Sequence, residues 1–246
     1  MRKNYLAGIF LLLGLWLIVS LLVGSELILP SPIKVFNTLA VLLKDPRTYQ
    51  AILSTITKIS VVLTATLVTG VALGFAIGLN DKLYQLFRPA TLVIQAVPII
   101  TWLALVMFAF GIGWLGPVVV SVLSLFPHVL LTTAVGIRST DVKLKEMATI
   151  YRVPKRKIIR DVYLGSVLPQ MVAALQVVVG NVWKVVVVAE YMCGDRGIGV
   201  MIAWARQSVA VDKVYAYTAV TVVMGLIVEN VVNKYTRTLL KDWEVV

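Results

Sequence analysis

Six long apolar runs follow one another along the chain, at residues 6–24, 59–79, 90–110, 115–135, 171–189 and 215–232, with basic connections between them. Each is close to the ~20 residues that a helix needs to cross hydrocarbon. Lipid offers no partner to a free N–H or C=O, so each run must satisfy its own backbone as a helix. The expected fold class is an all-α membrane protein, a bundle of about six transmembrane helices forming one domain over residues 1–246. Composition agrees: 14% of residues are charged, against about 25% in soluble domains, and the mean hydropathy is +0.92. The single cysteine, Cys193, excludes an intramolecular disulfide and a CxxC metal site, and the single histidine, His128, excludes a histidine cluster. No metal site and no catalytic residue is expected. The first run follows Arg2 and Lys3 as a secretory leader would, but it lacks a clear small-x-small cleavage site. It reads as a retained first helix.

The connections orient the runs. With the N-terminus inside, fifteen of the 23 Lys and Arg residues fall in inner segments, seven in outer segments and one, Lys184, within a run. The positive-inside rule then places both termini in the cytoplasm. Eight of the basic residues lie between Arg138 and Arg160. Such a cluster suits topogenesis and contact with anionic membrane lipid. No aromatic stacking platform accompanies it, so no nucleic-acid partner is expected.

Two connections carry structure of their own. The outer one, 25–58, holds Ser31 before Pro32, then Val35, Leu39, Leu42 and Leu43. This predicts an N-cap, a proline in the first turn and an amphipathic helix. The inner one, 136–170, predicts a helix opened by Asp141 and carrying Leu144, Met147, Ala148 and Tyr151. Pro154 breaks it, and a second helical pattern follows through Ile158, Ile159, Val162 and Tyr163. Gly165 and Pro169 punctuate the approach to the fifth run. A helix–Pro–helix unit with an apolar stripe at Ala148, Tyr151 and Val153 calls for a partner surface.

The stretch from Glu146 to Arg152, continuing through Leu164 to Pro169, resembles the EAA signature of permease subunits of bacterial and archaeal ABC importers. That pattern reads Glu-Ala-Ala, three residues, Gly, then a Leu-Pro region. Glu146, Ala148, Leu164 and Pro169 match it, while Met147, Arg152 and Gly165 depart from it. Leu29-Pro30-Ser31-Pro32 with Val35 is similar to the opening of the nitrate, sulfonate and taurine branch. Val97-Pro98-Ile99-Ile100 before Phe110-Gly111-Ile112-Gly113 resembles its third span. Trp183-Lys184, Val188-Ala189-Glu190 and Gly197-Ile198-Gly199 resemble its fifth span and exit. The resemblance implies a type I importer permease in a prokaryotic inner membrane. Its implied partners are a second permease subunit (a homodimer), two ATP-binding cassette subunits and an extracytoplasmic solute-binding protein. It implies alternating access, with Glu146, Ala148, Tyr151, Arg152, Val153, Pro154 and Lys155 coupling to the ATPase.

The chain has no GxxxxGK[ST] loop to cradle phosphates. ATP and Mg2+ are therefore expected on the partner ATPase, with no cofactor on this chain. Candidates for the translocation pathway are Pro98, Trp183, Lys184 and Glu190. An ionisable group deep in a span usually faces protein or water, so Lys184 can attract an anionic solute or pair within the bundle. Glu190, near the outer end, can pair with Arg196, dock the binding protein or sit as a plain interfacial charge. Trp102 and His128 read as packing groups, and Asn181 and Glu229 as polar groups needing partners. Gly70, Gly74 and Gly78 mark one face of the second run for close helix packing. The alternative reading is an ion-gradient-coupled transporter or channel that needs no ATPase.

Overall fold

The computed structural model describes residues 2–241, all of its regular structure helical. In chain order the helices are α1 (Arg2–Val23), α2 (Pro32–Leu42), α3 (Pro46–Gly78), α4 (Asp81–Ala96), α5 (Ile99–Phe110), α6 (Leu115–Arg138), α7 (Val142–Ile150), α8 (Lys155–Lys157), α9 (Leu164–Cys193), α10 (Ile198–Gln207) and α11 (Val211–Lys241). A π-helical turn, Ile158–Tyr163, joins α8 to α9. Among the described residues, four helices are long and apolar enough to cross a membrane: Pro46–Gly78, Leu115–Arg138, Gln170–Cys193 and Val211–Val232. The pair α4 and α5 makes a fifth if taken as one span. In α1 the apolar stretch that qualifies, Phe10–Val23, is shorter.

Local chemistry sets the boundaries. Ser31 caps α2, its hydroxyl accepting from the Lys34 N–H, and Pro32 fills the first turn where no N–H is needed. Asp45 and Pro46 open α3 in the same way, with the Asp45 carboxylate accepting from Arg47 N–H. That start lies upstream of the apolar run, so Lys58, expected in the outer connection, instead sits inside α3. Asn80 caps α4 through the N–H groups of Lys82 and Leu83.

The third apolar run divides into two helices. α4 ends at Ala96, and α5 leaves at 91° to it. Proline lacks an N–H and pushes the preceding residue into extended backbone. Val97 accordingly sits at φ −70°, ψ 121°, and Pro98 becomes the N-cap of α5. Conversely, the expected punctuation at Gly165 and Pro169 does not appear, since α9 runs through both. The irregularity lies just upstream, in the π turn.

The core is built where α3, α6 and α9 meet: Ile59 and Val62 from α3, Val118, Leu125 and Val129 from α6, and Val178, Val182, Trp183 and Val186 from α9. α3 and α6 approach closely along the expected glycine face. A Cβ on Gly70 would lie 2.8 Å from Val129 Cβ, one on Gly74 2.6 Å from the Leu130 carbonyl, and one on Gly78 2.9 Å from Ile137 Cβ. Small residues let the backbones close, and packing dominates helix association in lipid. A second cluster ties α2 to α10 and α11 through Val35, Leu42, Ile198, Tyr217 and Val220. Trp16 stacks on Tyr215 at 5.8 Å and joins α1 to that layer.

Candidate functional site

At one end of the bundle, α7 and the turn after it form a compact projection. Asp141 caps α7, accepting from Lys143 N–H at 2.9 Å. At its other end the Val153 N–H donates to the Ala148 carbonyl at 2.9 Å, and the Arg152 N–H donates to Thr149 at 3.1 Å. These are the two bonds of a Schellman turn, which requires a left-handed residue between them. That residue is Arg152, at φ 48°. The departure from glycine noted in the sequence thus falls on the one backbone position of the turn where a side chain is strained. The turn aims the chain into Pro154, whose carbonyl accepts from Lys157 and Ile158 and starts the next helix.

The side chains of this projection divide into two sets. Ala148 is buried within the chain and Val153 half-buried, as a Schellman turn favours. Glu146, Met147, Arg152 and Pro154 are exposed, and Ile150 and Tyr151 are each 77% exposed. The side chain of Lys155 lies outside the described residues. Exposed apolar groups in this row, flanked by basic residues, form a surface with the character of an interaction site.

At the opposite end, Lys58 and Glu190 meet in the interior. Lys58 Nζ donates to Glu190 Oε1 at 3.0 Å, to Ser54 Oγ at 3.2 Å and to the Arg196 carbonyl. The Thr55 hydroxyl faces both carboxylate oxygens at 2.9 and 3.0 Å, and Gly199 N–H donates to Oε2 at 3.1 Å. Ile198 N–H closes the network onto Thr55 Oγ1 at 2.9 Å. Both charged side chains are fully enclosed. Glu190, expected on the pathway or beside Arg196, therefore has Lys58 as its charge partner and no exposed side-chain surface. Arg196 contributes its carbonyl, not its guanidinium. The glycines of Gly197-Ile198-Gly199 now have a reason. Gly197 adopts φ 132° directly against the Glu190 carboxylate, and a Cβ on Gly199 would lie 2.6 Å from Glu190 Cβ.

Between these ends, α9 presents an open stripe: Val177, Asn181, Lys184 and Val188, spaced by four, three and four residues, are all exposed. A cavity of about 330 Å³ lies on one side, lined by Trp183, Lys184, Thr221, Gly225 and Glu229 among others. Trp183 is anchored there, its indole N–H donating to the Thr221 carbonyl at 2.6 Å. The structure thus brings Trp183 and Lys184 to one cavity and leaves Pro98 exposed on the α4–α5 corner.

A scan of family models matches residues 66–240 to "Binding-protein-dependent transport system inner membrane component". The taurine transport system permease protein TauC of Escherichia coli (strain K12) is 26% identical over 219 residues, 87% of this chain and 80% of that protein. The nitrate import permease protein NrtB of Leptolyngbya laminosa is 24% identical, covering 95% of this chain and 86% of that protein. Among solved structures, the MetNI methionine ABC transporter in an inward-facing conformation aligns with a TM-score of 0.64 at 16% identity. That alignment covers 78% of this chain and 95% of that one, and it supports the same permease fold. Sequence, fold and family model agree: the chain belongs to the binding-protein-dependent transport system inner membrane components.

Proposed function

We propose that the chain is the permease subunit of an ATP-driven importer for a small anionic solute. The observation that carries this is the family match over most of the chain, residues 66–240. In this reading a separate ATP-binding cassette subunit binds ATP and Mg2+ and hydrolyses the nucleotide, and no cofactor resides on this chain. A solute-binding protein delivers the solute. The assembly holds two copies of this chain and two ATPases.

The coupling surface is the α7 projection, from Glu146 through Ala148, Tyr151, Arg152 and Val153 to Pro154 and Lys155. Ile150 and Tyr151 supply exposed apolar area for burial in the motor. Ala148 and Val153 hold the turn in shape. Nucleotide-dependent contacts there bias the bundle between two packed arrangements. Lys184 stands on the open stripe of α9 and supplies the positive charge that an anion meets mid-path, with Trp183 fixed behind it and Pro98 shaping the α4–α5 corner. Taurine and nitrate, the solutes named for the two relatives, both carry an oxyanionic group.

The test begins with the small molecule retained by the cognate binding protein, identified by mass spectrometry. Its uptake is then measured in liposomes holding the assembled complex. The expected result is uptake that requires ATP and falls in Lys184→Ala and Lys184→Gln through a raised KM. Uptake by the chain alone on an ion gradient would replace this reading with the ion-coupled one. Unchanged uptake in both variants would remove Lys184 from the path.

A further inference from the structure

On the other side of the α9 stripe lies a second cavity, of about 370 Å³, walled by α4, α5, α6 and α9. Four of its lining residues are polar: Gln95, Ser124, His128 and Asn181. Polar side chains in a membrane bundle normally satisfy one another or their own helix. Ser121, one turn earlier on α6, does so by donating to the Pro117 carbonyl at 2.7 Å. Ser124 does not: the residue lines the cavity, and its hydroxyl is buried with no hydrogen-bond partner among the described residues. Gln95 Nε2 and His128 Nδ1 face each other at 3.4 Å, a long contact that leaves both groups with unused capacity. Asn181 donates one amide hydrogen to the Val177 carbonyl and retains its second hydrogen and its carbonyl oxygen. Asn181 is also the stripe residue one turn from Lys184.

We infer that this cavity is a contact site for the permeating solute, and that it takes a small oxyanion on neutral donors. The inference rests on the importer reading and deepens it. The hydroxyl of Ser124, the amides of Gln95 and Asn181 and the imidazole of His128 can all donate, and the cavity wall carries no carboxylate. Lys184 attracts the anion from the adjoining stripe. Neutral donors replace part of its hydration without trapping it, as a path requires of each site along it. Trp102, also in the lining, offers an apolar face to a short hydrocarbon tail, where the solute has one.

The test uses thiol labelling in native membrane vesicles containing the full chain with its cognate ATPase. Cys193 is buried and is first replaced by Ser. Ser124→Cys, His128→Cys and Asn181→Cys are each compared with Phe108→Cys in α5, where Phe108 is 90% exposed. The probes are 2-sulfonatoethyl methanethiosulfonate, itself a small sulfonate, and the trimethylammonium reagent of similar size. The expected result is labelling of the cavity positions by the sulfonate at least about tenfold faster than Phe108→Cys, with the anion outpacing the cation. Rates at all three positions no faster than the control would overturn the site, and faster reaction with the cation would overturn its anion preference. If the ATPase does not associate, the importer reading fails, while the labelling rates still report on the cavity.

Discussion

Lys58 and Glu190 show what a single residue can conceal in a sequence. Lys58 reads as one more basic residue at the edge of a connection, and Glu190 as a charge near a helix end. Their pairing spans 132 positions, beyond any local pattern. The signal that did exist was Gly197-Ile198-Gly199, whose glycines make room for the carboxylate. A buried ion pair is costly to leave half-made. Lys58→Met should therefore destabilise the chain by about 3–5 kcal/mol, and Lys58→Met with Glu190→Gln should recover much of that loss. Reversible unfolding in mixed micelles measures both; a double variant as unstable as the single one would contradict the account. The polar cavity was equally hidden. His128 and Asn181 were visible as intramembrane polar groups, but their convergence with Gln95 and Ser124 depends on how α4, α6 and α9 meet.

Among the elements, hydropathy located the apolar runs well because lipid leaves the backbone so few choices. It placed their ends less well. α3 begins at Pro46 because capping chemistry, not hydropathy, sets its start. The third run breaks because Val97-Pro98 favours extended backbone, and residues on both sides of the break line the cavity. The glycine face of α3 was legible, since a spacing of four residues needs no tertiary knowledge. The end of α7 was legible in part: arginine fills the position where the family pattern has glycine, and the turn forms with Arg152 held at positive φ. Arg152→Gly should relieve that strain and stabilise the turn by about 1 kcal/mol. Amide hydrogen exchange through α7 should slow accordingly. Faster exchange would show that the Arg152 side chain contributes more than its backbone costs.

For the whole molecule, the two ends of the bundle do different work. One end is locked: the Lys58–Glu190 network ties α3, α9 and the start of α10 together. The other projects α7 with its apolar side chains uncovered. Between them runs the α9 stripe, with a cavity on either side. α9 itself links the α7 end to the stripe, its helical rod continuing from the π turn. This arrangement was not legible from the sequence, because it depends on which helix faces which. The family pattern supplied the expectation of a coupling segment, and the structure shows Ile150 and Tyr151 of that stretch exposed.

The most direct measurement is co-purification of the membrane-embedded chain with its cognate ATP-binding cassette subunit, for the natural sequence and for Ile150→Asp with Tyr151→Asp. The account predicts a stable complex for the natural chain. It predicts loss of that complex in the variant, whose bundle keeps its thermal stability because both side chains lie outside the core. A folded natural chain that does not hold the ATPase, or a variant that holds it equally well, would contradict it.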